Sequence, residues 1–185
     1  LSDGALHLAV MDATGHDLAA GLVSATALAA YRNARREGRS LFDQAQTIDD
    51  AVTAQFDGTT FATGLVARLD LNTGRLRYVN AGHPPPLLLR GGRVVKMLDR
   101  GRRPLFGLAP TQVDVGEEHL ERGDAVVMYT DGITEARDAQ GDVFGVDGLT
   151  DFLEREVGRN APLPEVVRSL GHAILRRQSG ELRDD

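Results

Sequence analysis

The feature that most constrains this chain is an apolar run that ends in an acid. Residues 125–129 are consecutive apolar residues, rich enough in valine and tyrosine to predict a strand buried on both faces. The run stops at Thr130-Asp131-Gly132. Burying the Asp131 carboxylate there without a cation, a positive side chain or several N–H donors would be very costly. Asp131 is therefore a cation ligand or the cap of the turn that follows, and this stretch alone leaves both interpretations open.

A second apolar run ends in the same way. Residues 6–11 predict another buried strand, and Asp12 follows them directly, ahead of small and turn-forming residues. Carboxylate oxygens are the ligands that hard divalent cations prefer in proteins. A second acid at the end of a core strand therefore favours the cation-ligand interpretation of Asp131.

The composition limits the chemistry of such a site. The 185 residues contain no cysteine, so a metal would be held by oxygen or imidazole, which favours Mg²⁺ or Mn²⁺. The net charge of −6 argues against nucleic-acid binding driven by bulk electrostatics. No apolar run approaches membrane-spanning length, and no signal-peptide pattern is present. We expect one domain with a core of its own, located in the cytoplasm.

Two amphipathic helices are predicted to follow the first strand. The first covers residues 18–36, and the second covers residues 41–56, after a Ser40 cap with Asp43 three positions on. Both segments carry apolar residues at helical spacing. In the first helix we expect the buried stripe to consist of Leu18, Leu22, Ala25, Leu28 and Ala29.

Extended segments dominate the middle of the chain, and helical periodicity returns near its end. Strands are predicted between residues 61 and 129, with a basic loop in the region 100–104 whose arginines, Arg100, Arg102 and Arg103, we expect to be solvated. Residues 144–157 and 164–177 predict two more helices. This order predicts an α+β fold: an antiparallel β-sandwich flanked by helix pairs, in α-β-β-α layers.

Four motifs occur in an order that is found in one enzyme family. They are residues 11–16 (Met-Asp-Ala-Thr-Gly-His), 80–86 (Asn-Ala-Gly-His-Pro-Pro-Pro), 129–136 (Tyr-Thr-Asp-Gly-Ile-Thr-Glu-Ala) and 183–185 (Arg-Asp-Asp). Together they resemble the PPM-type (type-2C) metal-dependent protein serine/threonine phosphatases, in their bacterial SpoIIE/RsbU-like branch. Each motif alone is weak, but four in order make the resemblance specific, and it covers essentially the whole chain.

The resemblance implies a site that holds two Mn²⁺ or Mg²⁺ ions. Asp12 would bridge the ions, and the backbone carbonyl of Ala13 would bind one of them. Asp131 and Asp184 would bind the other, and Asp185 is a less certain ligand. Two such ions can ionise a bridging water for attack on phosphorus and neutralise the charge that develops there.

Three other residues of these motifs each have a structural and a functional interpretation. His16 is a candidate proton donor to the leaving serine oxygen, but we favour a solvated loop histidine. For His83 we expect a structural loop residue whose ring hydrogen-bonds backbone, with a role at the site rim as the alternative. Glu135 is an outer-sphere acid or a helix-start acid, and we favour the latter. The family often has glycine where this chain has Asp17, which would alter backbone freedom or add an outer-sphere acid.

The ends of the chain differ from the family pattern. The Gly-Gly-Asp strand that usually precedes the first motif is absent, and so is the strand that usually follows Asp184 and Asp185. We therefore expect residues 1–185 to form a single phosphatase domain trimmed at both ends. Because the missing acid normally completes the second metal site, the first site should be retained better.

The resemblance implies hydrolysis of phosphoserine or phosphothreonine on a protein substrate. The expected substrate is a small STAS-type anti-anti-sigma protein in a partner-switching pathway that controls a sigma factor, and an upstream sensor domain is expected in the full-length protein. The oligomeric state stays open, a homodimer included. The rival hypothesis is a catalytically silent phosphatase-like module that acts by binding a partner protein. The three acids at 12, 131 and 184 speak against it, because a structural domain has no need to bring them together.

Overall fold

The computed structural model describes residues 4–15, 17–56, 60–108, 113–159 and 161–178, which form largely antiparallel sheets and helices. The strands are β1 (Ala5–Ala13), β2 (Ala62–Asp70), β3 (Arg75–Ala81), β4 (Leu87–Arg90), β5 (Arg93–Met97), β6 (Arg102–Arg103), β7 (Gly116–His119) and β8 (Ala125–Val127). The helices are α1 (Leu18–Arg36), α2 (Leu41–Phe56), α3 (Asp131–Thr134), α4 (Gly145–Gly158) and α5 (Leu163–Arg177). The predicted α+β class is confirmed. In the described part of the chain no helix has the length and apolar character needed to cross a membrane.

The chain divides into two compact units. Unit 1 comprises Leu1–Pro85 and Leu98–Arg122, and unit 2 comprises Pro86–Met97 and Gly123–Asp185. Asp12 belongs to unit 1 and Asp131 to unit 2. That residues 1–185 act as a single phosphatase domain stays a prediction.

The sheet of unit 1 is built on three consecutive antiparallel strands. Its order is β1-β2-β3-β6, and β7 also pairs with β3. β3 runs antiparallel to β2 and β7 and parallel to the two-residue strand β6. At the end of β1, Asp12 lies opposite Thr63 and Ala13 lies opposite Ala62. Asp12 was predicted to follow the strand, but pairing with β2 extends β1 by two residues and includes it.

Helix α1 has the predicted bounds but buries a different face. Leu18 and Leu22 of the predicted stripe are 81% and 50% exposed, and Ala25 and Ala29 are exposed as well. The helix packs against α2 and β1. Leu28 of the predicted stripe is half-buried against the core, but the other four residues are exposed, so the stripe as a whole was wrong. The buried residues of α1 are Ala20, Val23, Ala27, Ala30, Tyr31 and Ala34.

Both helices of unit 1 begin at side-chain caps. A carboxylate oxygen of Asp17 accepts a 2.9 Å hydrogen bond from the backbone N–H of Ala20. The Ser40 hydroxyl accepts from the N–H of Asp43 at 3.2 Å and donates to the Asp43 carboxylate at 2.7 Å. The predicted Ser40 cap is confirmed, and Asp17, whose effect the sequence left open, is the N-cap of α1.

A fully buried ion pair joins α2 to the β6 segment in unit 1. The side chains of Asp49 and Arg103 are 0% exposed, and their closest N–O distance is 2.8 Å. Arg103 also donates to the Ala45 carbonyl at 2.9 Å, and its guanidinium lies 4.7 Å from the centre of the Phe106 ring. The Asp49 carboxylate accepts a second hydrogen bond from the N–H of Gly107 at 2.7 Å. Burial lowers the pKa of Arg103, and the attraction of Asp49 opposes that shift.

The basic loop of the sequence is therefore only partly solvated. Arg100 and Arg102 are exposed, as predicted. The prediction that Arg103 is solvated was wrong. Asp49 lies on the buried face of α2 and supplies the opposite charge that makes burial of a guanidinium tolerable.

Unit 2 packs a small antiparallel sheet against two helices. The strand order is β5-β4-β8. β8 spans three residues that are half-buried, and among the described residues it pairs only with β4. A longer strand buried on both faces was predicted here, and that prediction was wrong. The two predicted helices form as α4 and α5, and the core contains Leu87, Leu89, Tyr129, Leu149, Phe152, Leu153, Val166, Leu170 and Ile174.

The buried ion pair generates a stability prediction. Asp49→Ala leaves the Arg103 guanidinium buried without its counter-charge, so we expect the free energy of unfolding to fall by about 3–5 kcal/mol. Urea denaturation followed by circular dichroism measures the loss. The control is Glu117→Ala, which breaks the exposed Arg75–Glu117 pair and should leave the unfolding midpoint nearly unchanged. Equal effects of the two substitutions would contradict this account.

Candidate active site

The strand end that carries Asp12 is held by residues at the start of β2 and immediately before it. The hydroxyl of Thr63 donates to the backbone carbonyl of Asp12 at 3.3 Å. The N–H of Thr14 donates to the carbonyl of Phe61 at 3.2 Å. The peptide units on both sides of Ala13 are thus fixed by β2, which restricts the direction of the Ala13 carbonyl. The Asp12 residue itself is half-buried.

The start of β2 is in turn anchored by Phe106. Ala62 donates its N–H to the Phe106 carbonyl at 3.0 Å and accepts the Phe106 N–H at 2.9 Å. The Phe106 side chain is completely buried. The next residue, Gly107, is the one whose N–H is bonded to Asp49. A continuous set of hydrogen bonds therefore runs from the buried ion pair to the strand end at Asp12.

The second motif forms an ordered loop whose backbone is clamped by Asn80. The Asn80 side chain donates to the carbonyl of His83 at 2.9 Å and accepts the His83 N–H at 2.8 Å. Between them Gly82 has φ +68°, and a Cβ there would lie 2.4 Å from a methyl carbon of Leu105. This position therefore requires glycine on both conformational and steric grounds.

His83 is a buried loop residue, as predicted, but its ring has a different partner. The Nδ1 atom lies 3.0 Å from the hydroxyl oxygen of Thr63. The prediction that the ring bonds backbone was wrong in this respect. The reason lies in the sheet, because the register of β1 and β2 places Thr63 opposite Asp12, and Gly82 bridges Gly64 in the neighbouring position.

Asp131 begins the one-turn helix α3 in unit 2. Its N-cap is Thr130, and the Asp131 carbonyl accepts the N–H of Glu135 at 2.7 Å. Asp131 is exposed. The turn is thus closed by the backbone of Asp131, while Thr130 holds the cap position. Glu135 is the C-cap of α3 and not the helix-start acid that we favoured.

Comparison with known proteins identifies the family. The family model described as Stage II sporulation protein E (SpoIIE) matches residues 2–185. The chain belongs to the SpoIIE family. It is 23% identical over 183 residues to the phosphoserine phosphatase RsbU of Bacillus subtilis, an alignment that covers 97% of this chain and 53% of RsbU. The chain thus spans about half the length of that relative.

Solved structures share the fold of this SpoIIE-family chain. The RsbU and RsbW domains of a Mycobacterium tuberculosis protein match with TM-score 0.79 and 28% identity, over 95% of this chain and 49% of that one. The PP2C phosphatase domain of Bacillus subtilis SpoIIE matches with TM-score 0.80 and 20% identity, over 98% and 52%. RsbX, solved in complex with magnesium, matches with TM-score 0.71 and 16% identity, over 95% and 77%. Family and fold are those of the PPM-type protein serine/threonine phosphatases, in the SpoIIE/RsbU-like branch, as the motifs implied.

The candidate ligands of this SpoIIE-family chain are hard oxygen donors. The Asp12 and Asp131 carboxylates and the Ala13 carbonyl suit Mg²⁺ or Mn²⁺ in type, so the donor chemistry fits the metal that the resemblance implies. His16, Asp184 and Asp185 lie outside the described residues. Within the described ranges no three acids or histidines form a ready-made metal group.

Two contributors to this region carry no motif signal in the sequence. Thr63 is an ordinary strand residue until the β1–β2 register places it opposite Asp12. Asp49 reads as one of several acids on an amphipathic helix, and only its position on the buried face reveals the partner of Arg103. The available signal is its spacing, because Asp49 lies four residues after Ala45 and three before Val52 and so falls on the apolar face of α2.

The Asn80 clamp generates a second prediction. Asn80→Ala leaves a buried N–H and a buried carbonyl of His83 without their partners, so we expect the free energy of unfolding to fall by about 2 kcal/mol or more. Asn80→Asp keeps the acceptor, but it loses the donor and adds a buried negative charge beside the His83 carbonyl, so it should destabilise at least as much as Asn80→Ala. Asn72→Ala, in the exposed β2–β3 turn, is the matched control. Thermal unfolding measures the series, and a melting temperature of Asn80→Ala equal to that of Asn72→Ala would refute the clamp.

Proposed function

We propose that this chain hydrolyses phosphoserine or phosphothreonine on a protein substrate, with two Mn²⁺ or Mg²⁺ ions. The observation that carries the proposal is the SpoIIE family match over residues 2–185, which spans every acid-bearing motif. The name of RsbU, a phosphoserine phosphatase, supports the reaction, and the magnesium complex of RsbX supports a divalent cation.

In this proposal the Asp12 carboxylate, the Ala13 carbonyl and the carboxylates of Asp131 and Asp184 would hold the ions. Asp185 is the less certain ligand. When bound, such ions supply an activated water and neutralise charge on the phosphoryl group. His16 stays a candidate proton donor to the leaving serine oxygen.

The chain itself supplies negative charge and a rigid backbone. Asp12 sits at the end of a nine-residue strand, and the two peptide units beside Ala13 are bonded to Thr63 and Phe61 of the β2 region. Donors that are held in place before a cation arrives need little rearrangement to bind it, which strengthens binding. The half-buried setting of Asp12 also strengthens its attraction for a cation relative to bulk water.

For the substrate we propose a STAS-type anti-anti-sigma protein in a partner-switching pathway, acting in the cytoplasm. This proposal is supported by the matched Mycobacterium tuberculosis protein, in which an RsbU domain and an RsbW domain belong to one protein. A sensor domain in the full-length protein belongs to the same proposal.

Metal removal tests the reaction. A chelator should abolish phosphate release from a phosphorylated protein, and Mn²⁺ should restore it, because the proposed nucleophile is a metal-activated water. Asp12→Asn and Asp131→Asn should each lower the Mn²⁺-restored rate at least about a hundredfold. The rate of phosphate release is measured on the phosphorylated protein and, as a second substrate, on p-nitrophenyl phosphate.

Glu135→Gln is the matched control, because it removes an exposed acid from the same short segment that holds Asp131. Its rate should stay near that of the wild type. Full turnover by Asp131→Asn would show that the assigned metal role is wrong. A folded wild type without turnover at any Mn²⁺ concentration would favour the silent binding module.

Substrate choice is tested separately. A serine-phosphorylated STAS-type protein should be dephosphorylated with a kcat/KM at least about tenfold above that of a phosphopeptide with its local sequence, because binding energy from the rest of the protein contributes to the transition state. The unphosphorylated protein should compete. Equal rates on the protein, the peptide and an unrelated phosphoprotein would exclude this substrate class and leave the phosphatase activity standing.

A further inference from the structure

The loop at residues 80–83 reaches the strand end at Asp12 through two consecutive hydrogen bonds. The His83 ring, in a residue that is 4% exposed, places Nδ1 3.0 Å from the hydroxyl oxygen of Thr63. The same hydroxyl lies 3.3 Å from the backbone carbonyl oxygen of Asp12. All three residues belong to unit 1.

Proton counting gives this chain of bonds a direction. A carbonyl oxygen only accepts hydrogen bonds, and a hydroxyl has one proton to donate. When His83 Nδ1 carries the ring hydrogen, it donates to the Thr63 oxygen while the hydroxyl donates to the Asp12 carbonyl, so both bonds are made. In the other tautomer the hydroxyl donates to Nδ1 and the Asp12 carbonyl loses this donor. The Nδ1–H tautomer is thus the one that supports the Asp12 carbonyl, and in it the ring polarises the hydroxyl and strengthens its bond to Asp12.

The loop that presents His83 is built to hold the ring in place. Asn80 bonds both the N–H and the carbonyl of His83, and the side chain of Asn80 is itself buried. Gly82 forms a parallel bridge with Gly64, next to Thr63 in β2. A rigid loop on one side and a paired strand on the other leave the Thr63 hydroxyl little freedom to turn elsewhere.

We propose that His83 and Thr63 are positioning residues of the metal site. They hold the peptide unit between Asp12 and Ala13, whose two residues supply a carboxylate and a carbonyl to the proposed ions. Neither positioning residue contacts metal or substrate in this scheme. The inference rests on the proposed function for the identity of the ligands, and it adds a role for the histidine of the second motif.

Affinity for Mn²⁺ alone, measured by isothermal titration calorimetry, is the primary test. Thr63→Val and His83→Leu should each weaken Mn²⁺ binding at least about tenfold, as losses of partners that orient metal ligands do. Thr63→Ser keeps the hydroxyl, and His83→Asn keeps an amide near the place of Nδ1, so each should restore the affinity to within about threefold of the wild type. The double variant should bind about as weakly as the weaker single variant, because the two residues act in series.

Thr26→Val is the matched control, since it removes a bonded threonine hydroxyl between α1 and α2 of the same unit. It should leave the Mn²⁺ affinity unchanged. A second readout uses the NMR spectrum of the metal-free protein. The amide of Ala13 belongs to the same peptide unit as the Asp12 carbonyl, so its resonance reports on that carbonyl. It should shift in Thr63→Val and His83→Leu but not in Thr26→Val. If Thr63→Val does not fold, the Ala13 resonance and the variants His83→Leu and His83→Asn still test the positioning role.

Lowered melting temperatures with unchanged Mn²⁺ affinity and an unchanged Ala13 resonance would overturn the positioning role and reduce both residues to structural ones. Phosphate release by the wild type is measured alongside. If the wild type binds Mn²⁺ but releases no phosphate, and Thr63→Val weakens that binding, the proposed function alone is contradicted. An active wild type whose affinity survives His83→Leu and Thr63→Val would contradict the positioning role alone.

Discussion

The buried pair of Asp49 and Arg103 is the interaction on which the architecture of unit 1 depends most directly. Removing a charge from water costs several kcal/mol unless an opposite charge compensates it, so separating Asp49 from Arg103 would leave a costly buried charge. The pair therefore favours one arrangement of the α2 helix and the β6 segment. The same carboxylate bonds Gly107, the neighbour of Phe106, and Phe106 pairs with Ala62 at the start of β2. The strand end that carries Asp12 is therefore stabilised from a part of the chain far away in sequence.

The two described acids of the proposed site have different local settings. Asp12 lies in a long strand, half-buried, with its flanking peptide units bonded to β2. Asp131 is exposed and starts a helix of one turn in unit 2. A cation bound by preformed donors loses less to ordering than one that must organise its ligands. Under the proposed function, Asp12 is the more firmly held of the two acids, and His83 and Thr63 would support the backbone beside it.

Much of the secondary structure could be predicted, because local signals are strong where elements begin and end. The Ser40 cap with Asp43 marks the start of α2, and the helix at residues 18–36 forms with those bounds. Tertiary packing decided which face of α1 is buried. The helix packs on α2 and β1 with Val23, Ala27 and Tyr31 buried, and it leaves Leu18 and Leu22 exposed. Tertiary packing also shortened the strand at residues 125–127, which pairs with a single neighbour among the described residues.

The order of the motifs around Asp12, His83 and Asp131 was enough to indicate the family from the sequence alone, because that order is found in one enzyme family, and the family model matches residues 2–185. The choice of hard oxygen donors followed as well, since a chain without cysteine offers few other ligands. Only the tertiary structure decided that Arg103 is buried and that Thr63 bonds the Asp12 carbonyl. Those facts depend on strand register and on the burial of paired charges, which bring together residues that no local pattern connects.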